Sequence, residues 1–252
     1  MSEEALALHG IGHSYFGRMA VEGVDMALRA GETTALVGPS GCGKSTLAHI
    51  AAGVVEPSRG RVVRGYRRHA MVFQEPRLLP WAKAADNIAY PLRLAGGLSS
   101  SARRARAMEA AARAELEPAD LAKYPAELSG GMRQRVAIAR ALAVEPDFVY
   151  FDEPFTALDA ALKRRMQDLV IAAGRAAHFG ALFITHDLME AARLAHRVAV
   201  MDARGQGIAG ERPVPGSPGE RDDADLFRLA HFWLKDDPLF RHINDIDERR
   251  TA

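Results

Sequence analysis

Gly38, Gly43, Lys44 and Ser45 hold the spacing G-x-x-x-x-G-K-[ST] inside the run Gly38-Pro39-Ser40-Gly41-Cys42-Gly43-Lys44-Ser45-Thr46. These residue types at this spacing suit phosphate. The glycines let backbone N–H groups close on phosphate oxygens, Lys44 is placed to bridge the β- and γ-phosphates, and the Ser45 hydroxyl to ligate Mg²⁺. Further along, Leu128-Ser129-Gly130-Gly131 makes a second glycine-rich turn ahead of Met132–Ala143, which reads as an amphipathic helix. Ser129 suits the N-cap of that helix, and the bare amides of Gly130 and Gly131 offer a second anion site. An apolar run, Phe148-Val149-Tyr150-Phe151, then ends in Asp152-Glu153. Such a strand delivers both carboxylates at its C-terminal edge. Asp152 is expected to hold Mg²⁺, directly or through water. Glu153, with no metal to hold, is the candidate general base that polarises an attacking water.

Positioning these groups requires particular elements. Thr33–Val37 reads as a short buried strand after the turn Gly31-Glu32, and Thr46–Ala52 as a helix that Gly53 can cap. Strand, loop and helix in that order aim the loop amides and the helix N-terminus at one point. Short strands are also expected at Ala5–Leu8, Val24–Leu28, Arg61–Val63 and Ala70–Phe73. From about Glu75 to Pro146 the chain turns alanine- and arginine-rich and helical, broken at Gly96-Gly97, Pro118 and Pro125. Within it, Ser99–Glu117 reads as one helix with Arg103, Arg104, Arg106 and Arg113 on a solvated face. A helix over Ala160–Ala177, a strand at Ala181–Thr185, a helix from Asp187 and a last strand at Arg197–Met201 follow. Beyond these, Pro213, Pro215, Pro218, Glu220, Asp222, Asp223 and Asp225 read as an exposed linker. Leu226–Leu234 reads as a short amphipathic helix packed on its own domain. There is no internal repeat.

Composition bounds the answer. The 252 residues, 48% of them hydrophobic, suit one α/β domain with a modest insertion and an ample core. A formal charge of +1 argues against nucleic acid or anionic lipid as partners. No apolar run approaches the roughly 20 residues that cross a bilayer. The start MSEEALALHG carries acids where an export signal carries bases, so the chain is expected to stay inside the cell. Its single cysteine, Cys42, permits no internal disulfide and agrees with a reducing compartment. Lying in the phosphate loop, Cys42 is either a small loop residue or an oxidation switch.

With the two turns and the Asp-Glu strand in this order, the sequence resembles the ATP-binding-cassette (ABC) ATPases, whose signature is the LSGG turn. The resemblance runs from about Met1 to Met201. It implies an α/β P-loop NTPase core, with a RecA-like mixed sheet and flanking helices, plus an antiparallel β subdomain and an α-helical signature subdomain. It assigns residues 1–210 to the ATPase domain, with the helical subdomain at about 75–146, and leaves 211–252 as a C-terminal tail. It also implies roles. Tyr15 stacks on adenine, an interaction worth about 1–3 kcal/mol for a base on an aromatic face. Gly38 to Thr46 bind ATP; Ser45, Gln74 and Asp152 serve Mg²⁺; Gln74 also senses the attacking water, and His186 contacts the γ-phosphate beside the base Glu153. Ser129, Gly130 and Gly131 cover the γ-phosphate held by the partner in a head-to-tail homodimer that sandwiches two ATP molecules. Asp159 closes the stretch Thr156-Ala157-Leu158-Asp159, where the family's usual first residue is serine; threonine keeps the hydroxyl.

The stretch Phe73-Gln74-Glu75-Pro76-Arg77-Leu78-Leu79-Pro80-Trp81 resembles the ATPase subunits of bacterial importers for nitrate, sulfonates, taurine and related small molecules. This implies transmembrane permease subunits docked in a groove from Glu75 to Asn87, with Leu78, Leu79 and Trp81 as apolar anchors and Arg77 as a hydrogen-bonding fork. It also implies a periplasmic or lipoprotein substrate-binding protein, and a place on the cytoplasmic face of the cell membrane. An ABC exporter ATPase and a non-transport ABC ATPase of DNA repair or the ribosome are the rivals. Against the latter stand the lack of a long coiled-coil insertion or a second cassette. The LSGG turn and His186 argue against a lone P-loop kinase or GTPase.

Overall fold

The structure, a computed structural model, describes residues 4–94 and 96–243. Along the chain come β1 (Glu4–Tyr15), β2 (Arg18–Arg29), β3 (Thr33–Val37), α1 (Lys44–Ala51), β4 (Arg59–Arg64) and β5 (His69–Val72). Then follow α2 (Ala84–Leu94), α3 (Ser100–Arg113), α4 (Pro118–Leu121), α5 (Gly130–Ala143), β6 (Phe148–Asp152) and α6 (Ala160–Ala177). The last elements are β7 (Gly180–Ile184), α7 (Leu188–Leu194), β8 (Arg197–Met201), β9 (Ile208–Pro213) and α8 (Asp223–Lys235). The chain divides into one compact unit built from Met1–Arg67 and Gly180–Ala252 and another built from Arg68–Phe179.

The first unit carries two sheets. In the antiparallel one, β1 lies between β2 and β4. Val24, Met26 and Leu28 are buried while Asp25, Ala27 and Arg29 are exposed, the period-two pattern of a sheet with one covered face. In the mixed sheet, β3 pairs in parallel with β7 on one side and β8 on the other, and β9 runs antiparallel to β8. All five residues of β7 are buried, as expected of a parallel strand covered on both faces.

Helix α8 spans the apolar run read as Leu226–Leu234 and is a working part of this core. Its Leu226, Ala230 and Trp233, spaced to share one face, bury against Leu188 and Ala191 of α7 and Val198 and Val200 of β8. The Trp233 ring stacks on Phe240 at 4.9 Å. The acids ahead of it start the helix: the Asp222 carboxylate accepts the Asp225 N–H at 2.6 Å, and Asp223 and Asp225 sit in the first turn, where the helix dipole favours them.

Two expectations for this region are corrected. Strand β9 lies in the stretch read as polar tail. It is an edge strand held by charge pairs, Arg197 to Glu211 at 2.9 Å and Arg212 to Asp237 at 2.8 Å, so no apolar alternation advertises it. Nor is the proline-rich stretch a free linker. Val214 and Pro218 are buried, and the Arg221 guanidinium donates to the carbonyls of Pro215, Ala192, Ala195 and Gly216 at 2.5 to 2.9 Å. Residues 244–252 of the expected tail lie outside the described residues.

In the second unit β5 pairs in parallel with β6. Helices α2, α3 and α5 pack around small side chains, among them Ala84, Ala107, Ala111 and Ala139, with Ile88, Leu92 and Val136 filling between them. Small residues at the crossing let the helix axes approach. Helix α3 is shorter than the Ser99–Glu117 expected. Ser99 caps it, its hydroxyl accepting the Ala102 N–H at 3.1 Å, and Glu115 ends it by turning to φ +56°, with the Leu116 N–H reaching back to Ala111. Of its arginines, Arg104 and Arg113 are exposed; Arg103 and Arg106 are half-buried, bonding the Leu98 carbonyl and Glu145.

Trp233→Ala removes the largest side chain that α8 contributes to the first unit, and is expected to lower the unfolding free energy by about 3–5 kcal/mol in a denaturant titration.

Candidate functional site

Strand register positions the chemistry of each unit. In the first, Leu36 of β3 stands opposite Ile184 of β7, so the residues two further on, Gly38 and His186, leave the sheet at the same edge. From Gly38 the chain folds into the expected loop. Gly38 is buried, and a Cβ there would lie 3.0 Å from Cys42 Sγ and 3.2 Å from the Met201 carbonyl oxygen. Gly43 is the N-cap of α1 at φ +101°, and a Cβ would meet the Ala20 carbonyl oxygen at 2.4 Å. Only glycine satisfies both the backbone angle and the contact. No side chain caps α1, and the N-terminus of a helix, with the positive end of its dipole, suits an anion. Lys44 is buried, and its Nζ donates to the carbonyls of Gly38 at 2.8 Å and Pro39 at 2.7 Å, so the loop wraps around the ammonium. Gly53, at φ +76°, closes the far end of the helix.

His186 is exposed, but its backbone is fixed on both sides. The Thr185 hydroxyl accepts the Asp187 N–H at 3.0 Å, and the Asp187 carboxylate caps α7 by accepting the N–H groups of Met189 and Glu190. Tyr15 ends β1, 42% exposed, with its ring edge-on to His13 at 4.6 Å. Its neighbour Phe16, at the β1–β2 turn with φ +50°, is fully exposed. Cys42 is buried; burial pushes its thiol above the usual range, against the lowering effect of the nearby Lys44 charge.

The second unit repeats the register logic. Val72 of β5 stands opposite Phe151 of β6, so Gln74 and Glu153 leave their strands at one edge. Asp152 ends β6 and is buried; Gln74 is exposed. Glu153 takes φ +44°, the left-handed region that a residue with a side chain enters rarely. Its carbonyl accepts the Thr156 hydroxyl at 2.7 Å. Asp159 caps α6, accepting the Leu162 N–H at 2.9 Å. Ser129 caps α5 as expected, its hydroxyl accepting the Met132 N–H at 3.2 Å, and the helix takes in Gly130 and Gly131. Gly131 lies against Leu158: a Cβ would sit 3.3 Å from the leucine Cδ2.

The stretch after Gln74 departs from its sequence reading. Of the three expected apolar anchors, Trp81 is 74% exposed, whereas Leu78 and Leu79 are half-buried and Leu78 packs on the helical core. Arg77, at φ +44°, places its guanidinium over the Phe73 ring at 4.3 Å. Sequence reasoning did not single out the side chains that fasten this loop. Arg140 of α5 donates to the carbonyls of Pro76 and Arg77, and Gln134 of the same helix to that of Phe73. The buried Asn87 accepts the Leu79 N–H at 2.7 Å and donates to the carbonyls of Leu79, Ala82 and Lys83. Gln134 lies within the glycine-rich signature run Leu128–Arg135, whereas Arg140 and Asn87 belong to no spaced motif; only the backbone of a loop beside α5 and α2 called for them.

The donors assigned to Mg²⁺, the Ser45 hydroxyl, the Gln74 amide oxygen and the Asp152 carboxylate, are all oxygen. By type, each suits a hard ion bound with substrate phosphates and water rather than in an all-protein cage. The residues present therefore fit the ion.

The chain is similar to known proteins. The family described as ABC transporter matches residues 21–156. The aliphatic sulfonates import ATP-binding protein SsuB 1 of Nocardia farcinica is 41% identical over 244 residues, covering 91% of this chain and 93% of the relative. The taurine import ATP-binding protein TauB of Sinorhizobium fredii is 39% identical over 219 residues, 84% of this chain and 81% of the relative. Among solved structures, the dimeric post-hydrolysis state of the ATP-binding cassette MJ0796, bound to ADP and Pi, superposes with a TM-score of 0.76 at 29% identity. It covers 84% of this chain and 99% of that one.

Cys42 should be nearly inert to alkylating reagents in the folded chain and react at once on unfolding. Because reagents attack the thiolate, the folded-state labelling rate should keep climbing with pH beyond the range in which a free cysteine, with a pKa of about 8.5, has levelled off. Thiol labelling with and without denaturant checks both.

Proposed function

The chain belongs to the ABC transporter family and is an ATP hydrolase, and from that premise we propose that it energises a bacterial importer of a small nitrate-, sulfonate- or taurine-like molecule. The phosphate loop is the observation that carries the ATP site: at Gly43 nothing but bare backbone fits, and Lys44 is enclosed by the carbonyls of Gly38 and Pro39. In this reading Gly38 to Thr46 bind the triphosphate, Lys44 neutralises its β- and γ-oxygens, and Tyr15 stacks on the adenine. Ser45, Gln74 and Asp152 hold Mg²⁺, which when bound neutralises charge on the β- and γ-phosphate oxygens.

Glu153 takes the proton of the attacking water as the water oxygen bonds to the γ-phosphorus and the bond from that phosphorus to the β–γ bridging oxygen breaks. The products are ADP and phosphate. His186 donates to a γ-phosphate oxygen, and Gln74 orients the water. Ser129, Gly130, Gly131 and Asp159 act across a head-to-tail homodimer, the signature turn covering the γ-phosphate bound by the partner. The dimeric state of the solved cassettes supports this arrangement.

No helix among the described residues is long and apolar enough to cross a membrane. We assign the work of the cassette to transmembrane permease subunits, with the chain on the cytoplasmic face of the inner membrane and a periplasmic or lipoprotein substrate-binding protein completing the complex. The names of the SsuB and TauB relatives support import. The surface of the helical unit supports a docked partner: Trp81 and Tyr124 are exposed, and a cavity of about 850 Å³ is lined by Lys83, Asp86, Arg93, Arg103, Arg104 and Met108. An amphipathic segment with acidic residues fits such a lining. Trp81→Ala should leave the melting temperature unchanged, because the ring is exposed, and should weaken binding to the detergent-solubilised permease by about tenfold or more, the loss of a modest hot spot.

Glu153→Gln tests the reaction. The variant should bind ATP as the wild type does, accumulate an ATP-dependent dimer on gel filtration, and hydrolyse ATP at least about 100-fold more slowly. Turnover close to wild type would rule out Glu153 as the base.

A further inference from the structure

We infer that the Thr156 hydroxyl is a positioning group for hydrolysis: it holds Glu153 in the backbone conformation that aims its carboxylate at water. The inference rests on the reading of Glu153 as the base. Glu153 stands at φ +44°, a region that costs a residue with a Cβ about 1–2 kcal/mol. Pro154 follows it, and a proline drives its predecessor toward extended backbone. Glu153 is thus held against two local preferences, which persists only where the surroundings enforce it.

The enforcing contact is short and specific. The Glu153 carbonyl accepts the Thr156 hydroxyl at 2.7 Å, an ordinary O–H···O length, while the Thr156 N–H reaches the same oxygen only at 3.5 Å. Of these two bonds the hydroxyl's is the stronger restraint on the peptide leaving Glu153. Thr156 itself stands on a fixed footing. Phe155 is buried, the Leu158 N–H bonds the Phe155 carbonyl at 3.1 Å, and Asp159 is tied to α6 as its cap. Gly131 closes on Leu158 from the other side. Relaxing the Glu153 backbone turns its Cα–Cβ bond and carries the carboxylate off its line, and a displacement of about 1 Å at a reacting group can cost about 100-fold in rate. Serine keeps the hydroxyl that threonine offers here; valine keeps the shape and loses it.

Steady-state ATP hydrolysis by the full chain, with saturating Mg²⁺, separates the readings. Thr156→Val should lower kcat about tenfold or more, with the KM for ATP and the ATP-dependent dimer unchanged, and Thr156→Ser should keep kcat within about twofold. Should valine destabilise the fold, Thr156→Ala against Thr156→Ser isolates the hydroxyl with the same expected ratio. A Thr156→Val protein of normal kcat, a loss confined to KM, or a serine variant as slow as the valine one would each overturn the inference. Failure here is distinguishable from failure of the base itself: a slow Glu153→Gln with a normal Thr156→Val sinks only the positioning role, whereas an active Glu153→Gln sinks both.

Discussion

Parallel strand pairing is the constraint on which the chemistry of this chain depends. Parallel neighbours end at the same edge of a sheet, so residues that follow them in sequence become neighbours in space however far apart they lie along the chain. The pairing of Leu36 with Ile184 brings the phosphate loop and His186 to one edge of the first unit, and that of Val72 with Phe151 does the same for Gln74 and Glu153 in the second. A slip of one residue in either pair would turn every side chain of the strand to the opposite face. The buried apolar residues of β3, β6 and β7 make that slip costly, and so the core sets the alignment of groups it does not touch.

Close approach of backbone is the second requirement, and it explains where glycine is indispensable. At Gly43 the left-handed backbone and the 2.4 Å approach that a Cβ would make to Ala20 coincide, so strain and collision exclude every other residue together. Glu153 shows the converse. A carboxylate stands where the backbone would suit glycine, and the hydroxyl of Thr156 bonds the carbonyl that follows it. The loop after Gln74 is fastened in the same manner, by Gln134, Arg140 and Asn87, whose polar ends take up carbonyls that no strand or helix satisfies.

Much of this was legible. Helix starts carried their own signals: Ser129, Asp159 and Asp187 each cap the helix they precede, and Ala160–Ala177 forms the helix expected of it. Strands buried on both faces announced themselves as apolar runs. Elements stabilised by charge rather than by apolar burial did not. Strand β9 lay hidden in a polar stretch because its partners are ion pairs, and a proline-rich segment looked loose until Arg221 was seen bonded to carbonyls of α7 and its own turn. Leu78 and Leu79 looked like outward anchors because composition does not say which side of a loop faces the helical core.

By itself, then, the sequence determined which groups are present and in what order: a glycine-rich loop with a lysine at phosphate-binding spacing, a pair of carboxylates at a strand end, a signature turn, and a formal charge near zero. These are local properties, written in residue type and spacing over a few positions. Tertiary structure alone decided which distant residues meet, that Trp81 faces solvent while Leu78 packs on the helical core, and that Glu153 stands in the left-handed region with its carbonyl bonded to the Thr156 hydroxyl. Those outcomes depend on strand register and on the competition of many side chains for one interior, which no window of sequence contains.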